Sequence, residues 1–125
     1  MANPNIAAVA GIYGNTSTTA LSSTSATSIV SNAASSGKVY KINSLIVSNV
    51  DGTNAADITI NIYSAASLGG TAFAVASTIS VPADASLIVI DKTTGIYLLE
   101  DKSIGAIAGA ANDLVVTCSW EEINA

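Results

Sequence analysis

Apolar and polar side chains alternate without a break across residues 57–63. Ile58, Ile60 and Ile62 share one face, and Asp57, Thr59, Asn61 and Tyr63 share the other. A period of two over that length predicts a strand with one face in a hydrophobic core. Upstream, residues 38–50 read as a longer extended run. Tyr40, Ile42, Ile46 and Val50 fall on one side and Leu45 and Val47 on the other, so part of it is expected to be covered on both faces. Between the two runs, Asp51-Gly52-Thr53-Asn54 is strong turn chemistry, because glycine adopts a positive φ without steric cost. The two runs are therefore expected to form a hairpin.

Strands continue at short intervals. Residues 72–81 set Phe73, Val75, Ile79 and Val81 against Ala72, Ala74 and Ala76, and Pro82 ends the run because it has no N–H for a ladder. Residues 86–91 hold a short continuous apolar run, Leu87 to Ile90, expected to be buried. Residues 96–99 and 104–108 are brief, and the charged corner Glu100-Asp101-Lys102 divides them. In a final strand Leu114, Val116, Cys118 and Trp120 alternate with Val115, Thr117, Ser119 and Glu121. Strands at this spacing, with no helical period among them, predict an all-β fold. An antiparallel, jelly-roll-like β-sandwich over residues 38–125 is expected.

Residues 1–37 differ. No charged side chain occurs before Lys38, and residues 16–36 are mostly hydroxyl residues and alanine. Ile6, Val9, Ile12, Leu21, Ile29 and Val30 are nevertheless spaced through the segment. It reads as an extended N-terminal arm or strand-exchange segment. Short strands around residues 18–21 and 27–31 are expected to join this chain's sheet or a neighbour's. Without charge, such a segment is poorly suited to float in water, and its β-branched residues suit pairing with an open sheet edge. Ile6, Val9, Ile12 and Tyr13 are the candidate interface residues.

Composition sharpens this picture. Half the residues are apolar, only 10% are charged, and mean hydropathy is +0.53. A net charge of −5 gives some repulsion between copies, yet so sparse a charged surface is one meant to be partly covered. The acidic balance and the scattered Lys38, Lys41, Lys92 and Lys102 exclude a phosphate-neutralising surface, so nucleic acid is not an expected partner. The start Met1-Ala2-Asn3-Pro4 lacks the basic residues of a signal peptide, and no apolar run is long enough to span a membrane. Asn15-Thr16-Ser17 fits a glycosylation sequon, which carries no weight without a secretory signal.

Candidate chemistry is thin. The chain has no histidine, arginine or glutamine, which removes the usual proton shuttle and the usual carboxylate and phosphate clamp. Ser35-Ser36-Gly37-Lys38 matches S-x-x-K but precedes a strand, where the motif has no meaning. The same stretch misses a P-loop, with Asn32 in place of the first glycine and Val39 in place of the magnesium-binding hydroxyl. Glu121 and Glu122 are neighbours on a strand and so point to opposite faces. Asp51, Asn54 and Asp57 lack the spacing of an EF-hand loop, and a turn with Asx-type bonding explains them. Cys118 has no second thiol or histidine beside it, so neither a disulfide nor a zinc site is expected; it reads as a small buried residue. Trp120 and Tyr40 suit core or interface anchors, and a sugar platform less well. No catalytic residue, metal ligand or cofactor is expected.

Four stretches, taken together, carry a resemblance. They are Val39-Tyr40-Lys41-Ile42-Asn43-Ser44-Leu45-Ile46-Val47-Ser48-Asn49, Asp57-Ile58-Thr59-Ile60-Asn61-Ile62-Tyr63, Ile79-Ser80-Val81-Pro82-Ala83-Asp84-Ala85-Ser86-Leu87 and Leu114-Val115-Val116-Thr117-Cys118-Ser119-Trp120-Glu121-Glu122-Ile123. The chain resembles small virion structural proteins of tailed bacteriophages, especially those of marine cyanobacterial phages. The resemblance implies a β-rich, non-enzymatic protein acting in many copies, assembled in the host cytoplasm and found in the virion. A capsid decoration or stabilising role is expected, with the major capsid protein and copies of itself as partners. A neck, tail or fibre-base component is the alternative within that class, and a carbohydrate-binding sandwich module the alternative outside it.

Overall fold

The computed structural model describes residues 4–125. Its strands are β1 (Gly11–Ala20), β2 (Thr27–Asn32), β3 (Lys38–Asn49), β4 (Ala56–Ala65), β5 (Gly69–Val81), β6 (Ser86–Ile90), β7 (Ile96–Leu98), β8 (Lys102–Ala108) and β9 (Leu114–Asn124). The one helical element among the described residues is a 3-10 turn at Lys92–Thr94 between β6 and β7, started by Asp91, whose carboxylate accepts the Thr93 and Thr94 amides. No helix among the described residues is long and apolar enough to cross a membrane.

The strands form two antiparallel sheets. One runs β1-β9-β3-β6, with β7 sharing the β3 edge that β6 occupies; the other runs β2-β8-β4-β5. Apart from β4–β5 and β6–β7, every connection passes from one sheet to the other. That order is a jelly roll, the expected sandwich in its most specific form.

The core lies between the sheets. Ile42, Leu45 and Val47 of β3, Ile58 and Ile60 of β4, Ile104 and Ala106 of β8, and Val116 and Cys118 of β9 have no accessible surface. On β9 Leu114, Val116 and Cys118 turn inward at every second residue and Trp120 packs against the core in the same phase, as the sequence pattern requires, while Ile123 is buried out of that phase. On β3 they do not. A bulge opposite β9 between Ile42 and Ser44 shifts the phase, so Leu45 and Val47 join Ile42 inside, while Ile46 is half-buried and Val50 is exposed. The expected sharing of one side by Ile42, Ile46 and Val50, opposite Leu45 and Val47, is thereby corrected. The 86–91 run is also only partly covered: on β6, Ile90 is buried and Ile88 is 61% exposed, because β6 is an edge strand.

The expected hairpin between the 38–50 and 57–63 runs is not formed. β3 and β4 belong to different sheets, so the Asp51–Asn54 turn carries the chain over the end of the core. Asn49, just before it, holds the crossover. Its buried side-chain amide donates to the Val81 and Asn54 carbonyls, each at 2.9 Å, and its Oδ1 accepts the Asp51 amide at 2.9 Å. Asn32 does the same between β2 and β3, donating to the Lys38 and Leu98 carbonyls at 3.0 and 3.1 Å and accepting the Ser36 hydroxyl.

The hairpin the fold does contain is β4–β5. Its tip has Ser67 and Leu68 both at positive φ, with the Gly69 amide bonded back to the Ala66 carbonyl. These are the hallmarks of a type I′ turn, whose twist matches the flanking strands. Three successive tip amides are held by side-chain oxygens from elsewhere: Ala66 by Asp101, Ser67 by Ser31 of β2 and Leu68 by Ser103 of β8. Ser103 is fully buried and also donates to the Ala65 carbonyl at 2.8 Å. The tip is thereby folded onto β8, where a Cβ on Gly105 would stand 2.7 Å from Leu68 Cδ2 and 2.9 Å from Tyr63 Cε2.

Residues 11–20 and 27–32 supply β1 and β2, each an outer strand of this chain's own sheets. β1 extends well beyond the short strand expected around residues 18–21.

Candidate interaction surface

The described residues enclose no pocket; the candidate surfaces are the outer faces and the sheet edges. A jelly roll has four edges, and here they differ sharply. β6 and β7 are short and interrupted by the 3-10 turn, and β2 is short and broken by a register shift between Ser28 and Val30. Short edges resist pairing with foreign strands, and bulges add to that resistance, on β5 as well as on β2. β1 and β5 are long, at 10 and 13 residues, and neither carries a charged side chain or a proline. β5 packs alongside β6, so it lies at the opposite side of the sandwich from β1.

β5 is the more exposed of the two. Phe73 is 61% accessible, Val75 39% and Ile79 41%, and only Val81 at its end is buried. Its ladder to β4 slips near Ile60 and again near Ala65, and Thr78 adopts a positive φ. Each slip resets the alternation, which is why the apolar row Phe73, Val75, Ile79, Val81 does not sit in the core as one face. The sequence signal for this surface was the absence of charge from residue 58 to residue 83.

The four candidate interface residues lie at the other side. Ile6 is 54% exposed in the turn before β1, and Val9 is half-buried. Ile12 and Tyr13 are 55% and 58% exposed on β1 itself. Consecutive on a strand, they project to opposite faces and do not make one patch. Ile12 stands in register with Ile123 and, beyond it, Val39, while the Tyr13 ring lies back over Gly11.

The polar groups form small structural sets. Lys38 and Glu122 make an ion pair at 3.3 Å beside Tyr40, whose pKa is raised by burial first and by the neighbouring Glu122 carboxylate second. The Tyr40 and Trp120 rings meet tilted at 6.1 Å and both pack against the core, so they offer no flat sugar platform. Asp51 accepts the Thr53 and Asn54 amides within its own turn, and these bonds hold its carboxyl below the usual range. Cys118 is fully buried, and desolvation pushes its thiol up to about 12.

No protein-family model matches this chain, and no curated protein does. A solved structure does. Over 98% of each chain, the sandwich is similar at a TM-score of 0.53 and 18% identity to a protein of the Bacillus endospore appendages, which form "a novel family of disulfide-linked pili". At that identity the likeness is one of fold. A chain from infectious bursal disease virus, Gx strain, is similar at a TM-score of 0.36 and 12% identity, covering 91% of this chain and 42% of that one.

Proposed function

We propose that this chain is a non-enzymatic structural protein that works by assembling with copies of itself, as a component of a tailed-phage virion. A capsid decoration or stabilising protein is the role that fits best, with the major capsid protein as its second partner. One observation carries the assembly: two long, charge-free edge strands, β1 and β5, each leave one side open at opposite ends of the sandwich. Such edges are templates for further pairing, and free monomers blunt them with charge, proline or short length. The exposed Ile6, Ile12 and Tyr13 on one side and Phe73, Val75 and Ile79 on the other supply apolar contact for the same purpose. The sequence resemblance supports the virion setting. The fold shared with an appendage protein supports an assembling role, though one joined differently. The Bacillus pili are disulfide-linked, whereas Cys118 here is buried and is the chain's one cysteine.

The test has two parts. Light scattering across a concentration series is expected to show self-association, and purified particles are expected to retain the protein. Cryo-EM of those particles then reads its position, with density on the capsid surface expected and density at the neck or tail moving the role there. A chain that stays monomeric and binds no particle would sink the proposal.

A further inference from the structure

We infer that β1 is an exchangeable strand: in the assembled protein, β1 of one copy pairs with β9 of another, the chain crossing between copies through residues 22–26. The inference rests on the self-assembly proposed above and deepens it by naming the donor strand, the acceptor edge and the hinge.

Three observations converge on β1. First, it is fastened through a single ladder, to β9, in unbroken register from Gly11–Asn124 to Ala20–Val115. Second, β1 itself adds nothing to the hydrophobic core, so the one core side chain that moves with it is Leu21 at its end, held by backbone bonds to Leu114 and Asn112 that the partner copy would supply again. No residue from 11 to 20 belongs to the core cluster or packs against it, and Leu21 is the first that does. Its half-buried positions are Gly11, Asn15, Ser17 and Thr19, polar residues or glycine that gain little from burial. Third, the seat beneath it is poorly satisfied. Ser17 Oγ, Trp120 Nε1 and Asn124 Oδ1 are buried without hydrogen-bond partners, and all three lie on β1 or β9. Asn15 faces Trp120 and Ser17 faces Cys118 in the ladder, so the Ser17 and Trp120 orphans are diagonal neighbours on one face. Buried polar groups without partners weaken the local structure, and elements held this way open at lower free energy than the core strands do.

The hinge is built for the purpose. Ser22, Ser23, Thr24, Ser25 and Ala26 are all exposed, uncharged and free of proline. At roughly 3.3–3.6 Å per residue, such a linker reaches an adjacent molecule when extended. The occupant of the vacated β9 edge is a second copy of β1 because only that sequence reproduces the contacts already present. In the closed chain Thr16 Oγ1 donates to Ser119 Oγ at 3.3 Å, and Ser119 Oγ donates to the Asn15 carbonyl at 3.4 Å. An exchanged Leu21 would fill the same core position in the partner that it fills here. Exchange of an identical element conserves every such contact, and the hinge alone changes conformation.

The Thr16–Ser119 contact supplies the test. Two variants, Thr16→Cys and Ser119→Cys, each in a Cys118→Ala background, are mixed before assembly and then oxidised gently. Exchange predicts disulfide-linked pairs containing one chain of each kind, and a ladder of linked multimers from a chain carrying both substitutions. If the doubly substituted chain links only within itself while light scattering still shows assembly, exchange is overturned and self-assembly stands. A monomer at every concentration overturns both. A second chain, native at Cys118, lacks residues 23–25, so the remaining two residues between Leu21 and Thr27 cannot pass from sheet to sheet. It is expected to shift wholly to oligomers with an unchanged β-sheet spectrum, and a folded monomer would count against exchange.

Discussion

Asn49 and Asn32 are two of many polar residues in a chain rich in them, yet each occupies a buried position with its amide fully engaged. An asparagine can make four hydrogen bonds, and a buried one that loses its partners leaves carbonyls and amides stranded. Asn49→Ala is therefore expected to cost about 2–3 kcal/mol, read as a lower urea midpoint at unchanged slope. A loss below a few tenths of a kcal/mol would show that water replaces those bonds. Titration belongs to this scale too. Asp91 is held below the ordinary carboxylate range by the Thr93 hydroxyl and amide, and Asp51 by the Thr53 and Asn54 amides. Depressed folded values mean that the unfolded chain binds more protons, so stability is full above about pH 4 and declines as pH falls through the depressed values. Cys118 works at the other end of the scale. Because burial raises its thiol to about 12, stability is full below the ordinary thiol value of about 8.5 and declines as pH rises from there toward 12. A thiol reagent at neutral pH should therefore label Cys118 only at the rate of unfolding; rapid stoichiometric labelling of the native protein would contradict this.

At the scale of elements, the β4–β5 hairpin shows how a strand is aimed. Its tip is pinned by Asp101, Ser31 and Ser103 and rests over the bare backbone of Gly105. Gly105→Val places branched carbons where Leu68 and the rigid Tyr63 ring already stand. It is expected to destabilise the fold by about 1–3 kcal/mol, the range for overpacking, with the loss seen in a thermal melt. On the exposed stretch of β5, Val75→Lys is expected to leave stability within about 0.5 kcal/mol, as surface changes do, while weakening association. Charge on an open edge resists pairing. Association unchanged by Val75→Lys would remove β5 from the assembly surface.

For the whole molecule, the arrangement that matters is the separation of β1 from β5 by the width of the sandwich, which gives one copy two different edges to offer. Contacts between unlike surfaces propagate, whereas like-with-like contacts close into dimers. Removing residues 2–9 leaves β1 intact while deleting Ile6 and Val9. The shortened chain is expected to keep its β-spectrum and cooperative melt and to lose affinity for particles or for itself. Loss of the cooperative melt would instead assign that segment to the fold.

The local pattern was enough to predict strands and, for Ile58 and Ile60 of β4 and Leu114 to Cys118 of β9, which side chains turn inward, because a strand's period of two is a property of the backbone and is printed directly in the residue order. Beyond Ile60 the expected polar face is covered as well, with Asn61 and Tyr63 buried and Ile62 half-buried. Composition likewise announced a surface short of charge. Which strand pairs with which was decided only in three dimensions. The Asp51–Asn54 turn specifies a reversal but not whether the next strand stays in the sheet, and the long-range Asn49–Val81 bond belongs to the structure that crosses over. The bulge in β3 and the slips in β5 arise from competition between ladders and sheet twist, so Val50 and Phe73 could not be placed by counting residues. Of the interface residues read from the first 37 positions, Ile6, Ile12 and Tyr13 are exposed on or just before β1, and Val9 is half-buried. That β1 lies at an edge, over an unsatisfied Trp120, is a consequence of contacts with residues on the order of a hundred positions away along the chain, as expected of a jelly roll's first and last strands.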